Sequence, residues 1–166
     1  MKGVYSALLI CLVVAGFVCS GCKPSSTAGL EENKALVRRT IEELEKANWA
    51  AFVELHAPDF VYHEPGNPKP TTSEDVEQGA RMLHAAFPDW RHTIEDMIVE
   101  GDKVAVRMTI RGTHKGDFLG VPATGKEVAF TNICIFRIAG GKIAEAWQEI
   151  DMMSVMQQIG AIPSDQ

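Results

Sequence analysis

Cationic side chains are in short supply: 16 Lys and Arg stand against 22 Asp and Glu, a net charge of −6 over 166 residues. A phosphate-backbone partner needs a basic surface that displaces counterions, so no nucleic acid is expected as a partner. Cysteine is scarce too. Of four, three stand at positions 11, 19 and 22, and only Cys134 lies in the body of the chain. That excludes an intradomain disulfide and a cysteine-based zinc site. The five histidines repeat no metal-ligand spacing, so no metal is expected. Apolar residues are not lacking: at 46% they are enough to offset chain ordering, which excludes intrinsic disorder. The length fits one domain with an extension.

The longest uncharged run is at the N-terminus. Lys2 precedes an apolar stretch to about Val18, followed by the small pair Ser20-Gly21 and then Cys22. A short basic region, an apolar core and small residues before a cleavage point make an export signal. Cys19-Ser20-Gly21-Cys22 resembles the lipobox of bacterial lipoproteins, with Cys19 where Leu is usual. The expectation is a signal peptide over 1–21, lipidation at Cys22 and a flexible tether over 22–30. A plain secreted protein and an uncleaved anchor are the alternatives. Lys23, not Asp, follows the cysteine, so the expected location is the periplasmic side of the outer membrane if the host is Gram-negative.

Beyond the tether the period is helical. Val37, Ile41, Leu44 and Ala47 form one stripe from a start near Glu31. A short helix over Trp49 to His56, with Ala50, Val53 and Phe52 inward, precedes a strand over Phe60 to His63. Thr71 and Glu74 suit a capping box for a helix burying Val76, Ala80, Leu83 and Phe87. From Trp90 the period is two. Strands over 90–100 and 103–113 flank the turn Gly101-Asp102, which sets Val99 opposite Val104, Met97 opposite Val106 and Asp96 opposite Arg107. The same register puts His92 opposite Arg111, at the surface. After a glycine-rich loop, strands over 127–138 and 142–150 flank Gly140-Gly141, and a helix over 151–159 closes the chain. Strict pairing there sets Cys134 opposite Trp147 and Ile133 opposite Gln148. Cys134 and Gln148 then share a face only if a bulge intervenes. Helices followed by an antiparallel sheet describe an α+β domain over 31–163.

Three stretches together resemble a family. They are Ala57-Pro58-Asp59-Phe60-Val61-Tyr62-His63, the segment Gly112 to Lys126, and Phe136 to Pro163 with its Gly-Gly-Lys turn and terminal Gln-Gln-Ile-Gly-Ala-Ile-Pro. The chain is similar to the SnoaL-like polyketide and ester cyclases, of the nuclear-transport-factor-2-like superfamily. The resemblance implies a cone with N-terminal helices on a strongly curved sheet, enclosing a deep apolar pocket. It also implies a small carbonyl-containing partner, intramolecular aldol chemistry without cofactor, and association of two copies through the sheet. In such chemistry a carboxylate in a dry pocket removes a proton α to a carbonyl, while a donor holds the enolate oxygen.

At the position of the cyclases' acid/base aspartate this chain has Gln148, and at that of their pocket histidine it has Cys134. Of the remaining ionisable groups, His63 with Glu64 orienting it is the candidate base. The expected catalytic set is His63, Glu64 and Gln148, and the expected pocket set is Tyr62, His84, Trp90, Cys134 and Trp147. His114 starts the glycine-rich loop, as a solvated residue or a gate, and Asp151 is placed to cap the last helix. A non-catalytic lipid-anchored binding module with the same pocket is the alternative, and an interaction role through the sheet a third.

Overall fold

Residues 26–163, apart from 68 and 70, are described by a computed structural model. The expected signal segment and Cys22 lie outside the described residues. Ser26 accepts a hydrogen bond from the Gly29 N–H at 3.2 Å and so starts helix α1 (Thr27–Glu45) four residues earlier than Glu31. Residues 27–30 are therefore helix rather than tether. Val37 and Ile41 of the expected stripe are buried and pack on the sheet.

Helix α2 (Trp49–Glu54) turns Phe52 inward and ends two residues before the expected His56. His56 instead opens strand β1 (His56–His63). Helix α3 (Ser73–Ala86) carries its capping box one residue later than expected, on Thr72 and Asp75. Thr71 is otherwise engaged. Its N–H and C=O exchange hydrogen bonds of 2.9 and 3.0 Å with the backbone of Tyr62.

Strands β2 (Arg91–Glu100), β3 (Lys103–Thr113), β4 (Glu127–Ala139) and β5 (Lys142–Ile150) complete a five-stranded sheet of order β1-β5-β4-β3-β2. β1 runs parallel to β5 and the other pairs are antiparallel. β3 and β4 alternate strictly, with Val104, Val106, Met108 and Ile110 buried on one and Phe130, Asn132, Cys134 and Phe136 on the other. Helices α1 and α3 and the closing helix α4 (Met152–Ile159) pack against this sheet. Asp151 caps α4 as expected, accepting from the Ser154 N–H at 3.0 Å. The architecture is α+β, as the resemblance implied.

Two bulges decide which side chains face inward. In the β2–β3 hairpin the expected pairs of Val99, Met97 and Asp96 hold, but the register shifts between Ile94 and Asp96. His92 therefore pairs with Ile110, not Arg111, and turns from the surface to the interior. In the β4–β5 hairpin the shift falls between Arg137 and Ile138, against an extra residue, Ala144, in β5. Beyond it Cys134 faces Gln148 and Ile133 faces Glu149, which corrects the strict pairing. A bulge inserts one residue, and with a side-chain period of two it inverts every later position.

Candidate active site

The helices and the inner sheet face enclose a cavity of about 360 Å³, within the range that holds small organic molecules. Its walls are mainly apolar: Phe52, Phe60, Met108, Ile110, Phe118 and Phe130 are among them. A few polar groups converge on it from four strands.

Tyr62 and Gln148 meet across the β1–β5 pair, where the Tyr62 hydroxyl donates to Gln148 Oε1. Burial holds the Tyr62 phenol well above its ordinary range, so it stays a donor. On β4, Cys134 donates to Asn132 Oδ1 at 3.4 Å. Burial pushes the Cys134 thiol up to about 12, so it is a packed thiol and not a thiolate nucleophile. In both pairs the amide oxygen is occupied. Neither Asn132 Nδ2 nor Gln148 Nε2 has an acceptor among the described residues, so two amide donors remain available in the cavity lining. Tyr62→Phe should cost about 1 kcal/mol by removing one of these bonds, read from the urea midpoint.

Two histidines line the cavity, and neither was in the expected pocket set. His56 Nδ1 lies 2.8 Å from the Phe52 carbonyl oxygen. A carbonyl only accepts, so Nδ1 carries the proton and Nε2 is bare. Phe52 and Phe60 enclose the ring at centroid distances of 4.6 and 4.4 Å, and burial lowers its pKa to about 4. His92 Nδ1 lies 3.0 Å from Glu45 Oε1, and the same carboxylate accepts the His92 backbone N–H. The His92 side chain is 3% exposed. Burial lowers its pKa, opposed by the bond and charge of Glu45.

Trp90, 3% exposed, lies beside His92 with ring centroids 5.1 Å apart. Its Nε1–H is buried without an acceptor among the described residues. An orphaned buried donor costs about 1–3 kcal/mol. Glu64 and Asp75 also line the cavity; both are exposed, and Asp75 serves the α3 cap.

The remaining expected residues are elsewhere. His63 and Trp147 are outside the cavity lining because the Ala144 bulge turns Trp147 outward, and His63 pairs with it on the outer face. Their rings stack at 5.1 Å, and His63 Nε2 meets Glu145, itself bound to Arg137. That surface network places no base in the cavity. His84 does not line the cavity; its ring packs edge-on between Trp49 and Trp90. His114, expected in solvent, is 0% exposed and stacks on Phe87, with Thr124 on its Nδ1. Of the expected set, Tyr62, Glu64, Trp90, Cys134 and Gln148 are in the lining.

Asn132 was legible in the sequence, since it is the one amide in phase with the buried face of β4. His92 was hidden by the β2 bulge, and His56 by the misplaced end of α2. Among the described residues no group of three or more His, Cys, Asp or Glu side chains is placed to hold a metal ion.

The profile of the SnoaL-like polyketide cyclases matches residues 34–159. The aklanonic acid methyl ester cyclase of Streptomyces peucetius is 29% identical over 133 residues, which is 75% of this chain and 88% of that protein. Among solved structures, AclR of Streptomyces galilaeus, described as a candidate hydroxylase, superposes with a TM-score of 0.77 at 28% identity, covering 82% of this chain and 86% of that one. Wild-type IdmH of Streptomyces antibioticus, described as a candidate polyketide cyclase, gives 0.72 at 31% identity, covering 77% and 98%. The chain belongs to the SnoaL-like polyketide cyclase family.

Proposed function

We propose that the protein closes a ring in a small, largely apolar dicarbonyl compound by acid/base chemistry without a cofactor. The observation that carries this reading is an apolar cavity whose lining holds bare imidazole nitrogens together with free amide donors. An imidazole in a dry pocket takes a proton from the carbon α to one carbonyl, and N–H donors of the lining hold the oxygens on which charge develops. The resulting carbon nucleophile attacks the second carbonyl, and the proton returns to the new alkoxide. Substrate and product have equal mass.

The test incubates the purified protein with aklanonic acid methyl ester and with simple 1,5- and 1,6-diketones, without added metal or cofactor. Isomers of equal mass with a new C–C bond are expected. Tight binding of these compounds with no conversion would sink the cyclase reading in favour of a binding module. His63→Ala, outside the cavity, should leave turnover unchanged and cost less than about 1 kcal/mol of stability, as exposed ion pairs do. Loss of turnover in that variant would return the chemistry to the outer face.

We further propose export with lipidation at Cys22, placing the domain at a bacterial membrane near apolar substrates. A Cys22→Ala variant should remain unlipidated by intact-mass measurement and partition away from membranes. A homodimer through the outer sheet face is supported by a row crossing four strands, Ile98–Ala105–Ile135–Trp147, in which Ile98 and Ile135 are 68% and 39% exposed. Ile135→Lys should convert dimer to monomer on sizing. A wild-type protein that is monomeric at every concentration would remove this part.

A further inference from the structure

The two cavity histidines are not equivalent, and the difference lies in what holds Nδ1. The His56 ring leans on a neutral carbonyl between two phenylalanines, so a proton gained at Nε2 has no compensating charge beside it. The His92 ring leans on a carboxylate. Glu45 also accepts the His92 backbone N–H, which ties the carboxylate to the same residue at two points and fixes the ring relative to the strand. A carboxylate bonded to Nδ1–H sets the tautomer, leaves Nε2 bare and stabilises the imidazolium that forms when Nε2 takes a proton. Beside it stands Trp90 of the cavity lining, with an indole N–H that has no acceptor among the described residues. A base and an orphaned donor side by side on one cavity wall are what an enolisation requires.

We propose that His92 is the catalytic base of this cavity, that Trp90 donates to the enolate oxygen, and that Glu45 is the positioning residue behind His92. The inference rests on the cyclase reading for its overall reaction but concerns a step that can be measured without ring closure. In that step the C–H bond α to a carbonyl breaks and its proton moves to His92 Nε2. The electron pair forms the carbon–carbon double bond of the enolate, and the former carbonyl oxygen carries the negative charge against the Trp90 N–H. When the enolate carbon attacks a second carbonyl carbon, the new C–C bond forms and that carbonyl becomes an alkoxide. The proton on Nε2 passes to it, so His92 returns neutral with no net gain or loss. The lowered pKa of His92 agrees with this cycle, since it keeps the ring neutral before the reaction at neutral pH.

The experiment uses 2-tetralone, a compact apolar ketone with activated α-hydrogens, in heavy water with the full chain. Deuterium incorporation is followed by mass spectrometry above the buffer background. The wild-type protein is expected to accelerate exchange, and His92→Gln to lose roughly 100-fold or more of that rate, the usual size of a general base. Trp90→Phe should lose roughly ten-fold or more. His63→Gln, on the outer face, should leave the rate unchanged. Calorimetric titration with 2-tetralone and the melting temperature separate loss of chemistry from loss of binding or fold.

Nitrogen-15 spectra of the wild-type histidines at neutral pH supply a readout that no variant can spoil. They should show His92 protonated on Nδ1 and bare on Nε2, and Glu45→Gln should lose that preference while Glu45→Asp keeps part of it. No acceleration by the wild type, an unchanged rate in His92→Gln, or a His92 proton on Nε2 would overturn the proposal. A protein that exchanges tetralone hydrogens through His92 but closes none of the diketones would keep this inference and sink the cyclase reading. Diketone closure that survives in His92→Gln would do the reverse.

Discussion

Gly116→Ala should lower stability by about 3 kcal/mol, at the top of the range for overpacking, and the melting temperature by about 10 °C. A methyl at this position would lie 2.4 Å from the Ala85 carbonyl oxygen, 3.1 Å from the Ala85 carbonyl carbon and 3.2 Å from Ala86 Cα. All three are backbone atoms, so no side chain can rotate away. The loop after β3 crosses the last turn of α3 here, and the N–H groups of Lys115 and Gly116 both donate to the Ala86 oxygen, at 2.8 and 3.1 Å. Any outward shift stretches that pair of bonds. It also moves Phe118, which packs 5.2 Å from Phe87 and lines the cavity, so ligand affinity should fall along with stability. Gly79→Ala is the matching control. It sits inside α3 with nothing within 4 Å of the added methyl, and helix propensity predicts a gain of up to about 1 kcal/mol. The same chemical change should thus have opposite signs at two glycines, read by thermal and urea unfolding. Equal effects at both would refute the packing argument.

Acidification should destabilise the fold well before the carboxylates titrate. His56 has its pKa lowered from 6.5 to about 4 by burial, against the raising effect of its bond to the Phe52 carbonyl. Below pH 6.5 the unfolded chain binds a proton that the folded chain refuses, so stability is full above that pH and falls until about pH 4. The difference is worth up to about 3 kcal/mol. His92, also lowered by burial, adds in the same direction. The shifted carboxylates act lower. Asp89, held down mainly by Lys115, and Glu145, held down mainly by Arg137, contribute stability above their unfolded values and lose it as pH falls through their folded ones. Urea midpoints between pH 7 and 4.5 therefore report the histidines. His56→Gln keeps a neutral donor for the Phe52 carbonyl and should flatten most of that slope; an unchanged slope would locate the acid sensitivity elsewhere.

The layers of this fold could be read from period alone, because β3 and β4 alternate without interruption and α1 keeps one stripe. The hairpin turns could be read too, and with them the first pairs of each register. The site could be read only in part: Tyr62, Trp90, Cys134 and Gln148 are expected there and line the cavity, whereas His56 and His92 are not expected and do. His92 and Gln148 each face inward only because one extra residue enters a strand, and a two-residue periodicity carries no record of such an insertion. His63 was drawn into the expected site by its position next to Tyr62, yet adjacent strand residues face opposite sides of the sheet. Glu45 lies one turn after Ile41 on α1, and its carboxylate finds a partner there only because the bulge turns His92 toward it.

The extra residue in β5 also works as a frame marker. From Glu145 to Ile150 the strand has two complete sets of side chains, one of Ala, Gln and Ile facing the cavity and one of Glu, Trp and Glu facing out. Deleting the single residue Ala144 would exchange the sets in one event, placing two carboxylates and an indole where the amide now stands. No sequence of single substitutions passes between those states so directly. In this fold, a one-residue change of strand length is a change of cavity chemistry, and relatives can be compared position by position across β5 only when their bulges coincide.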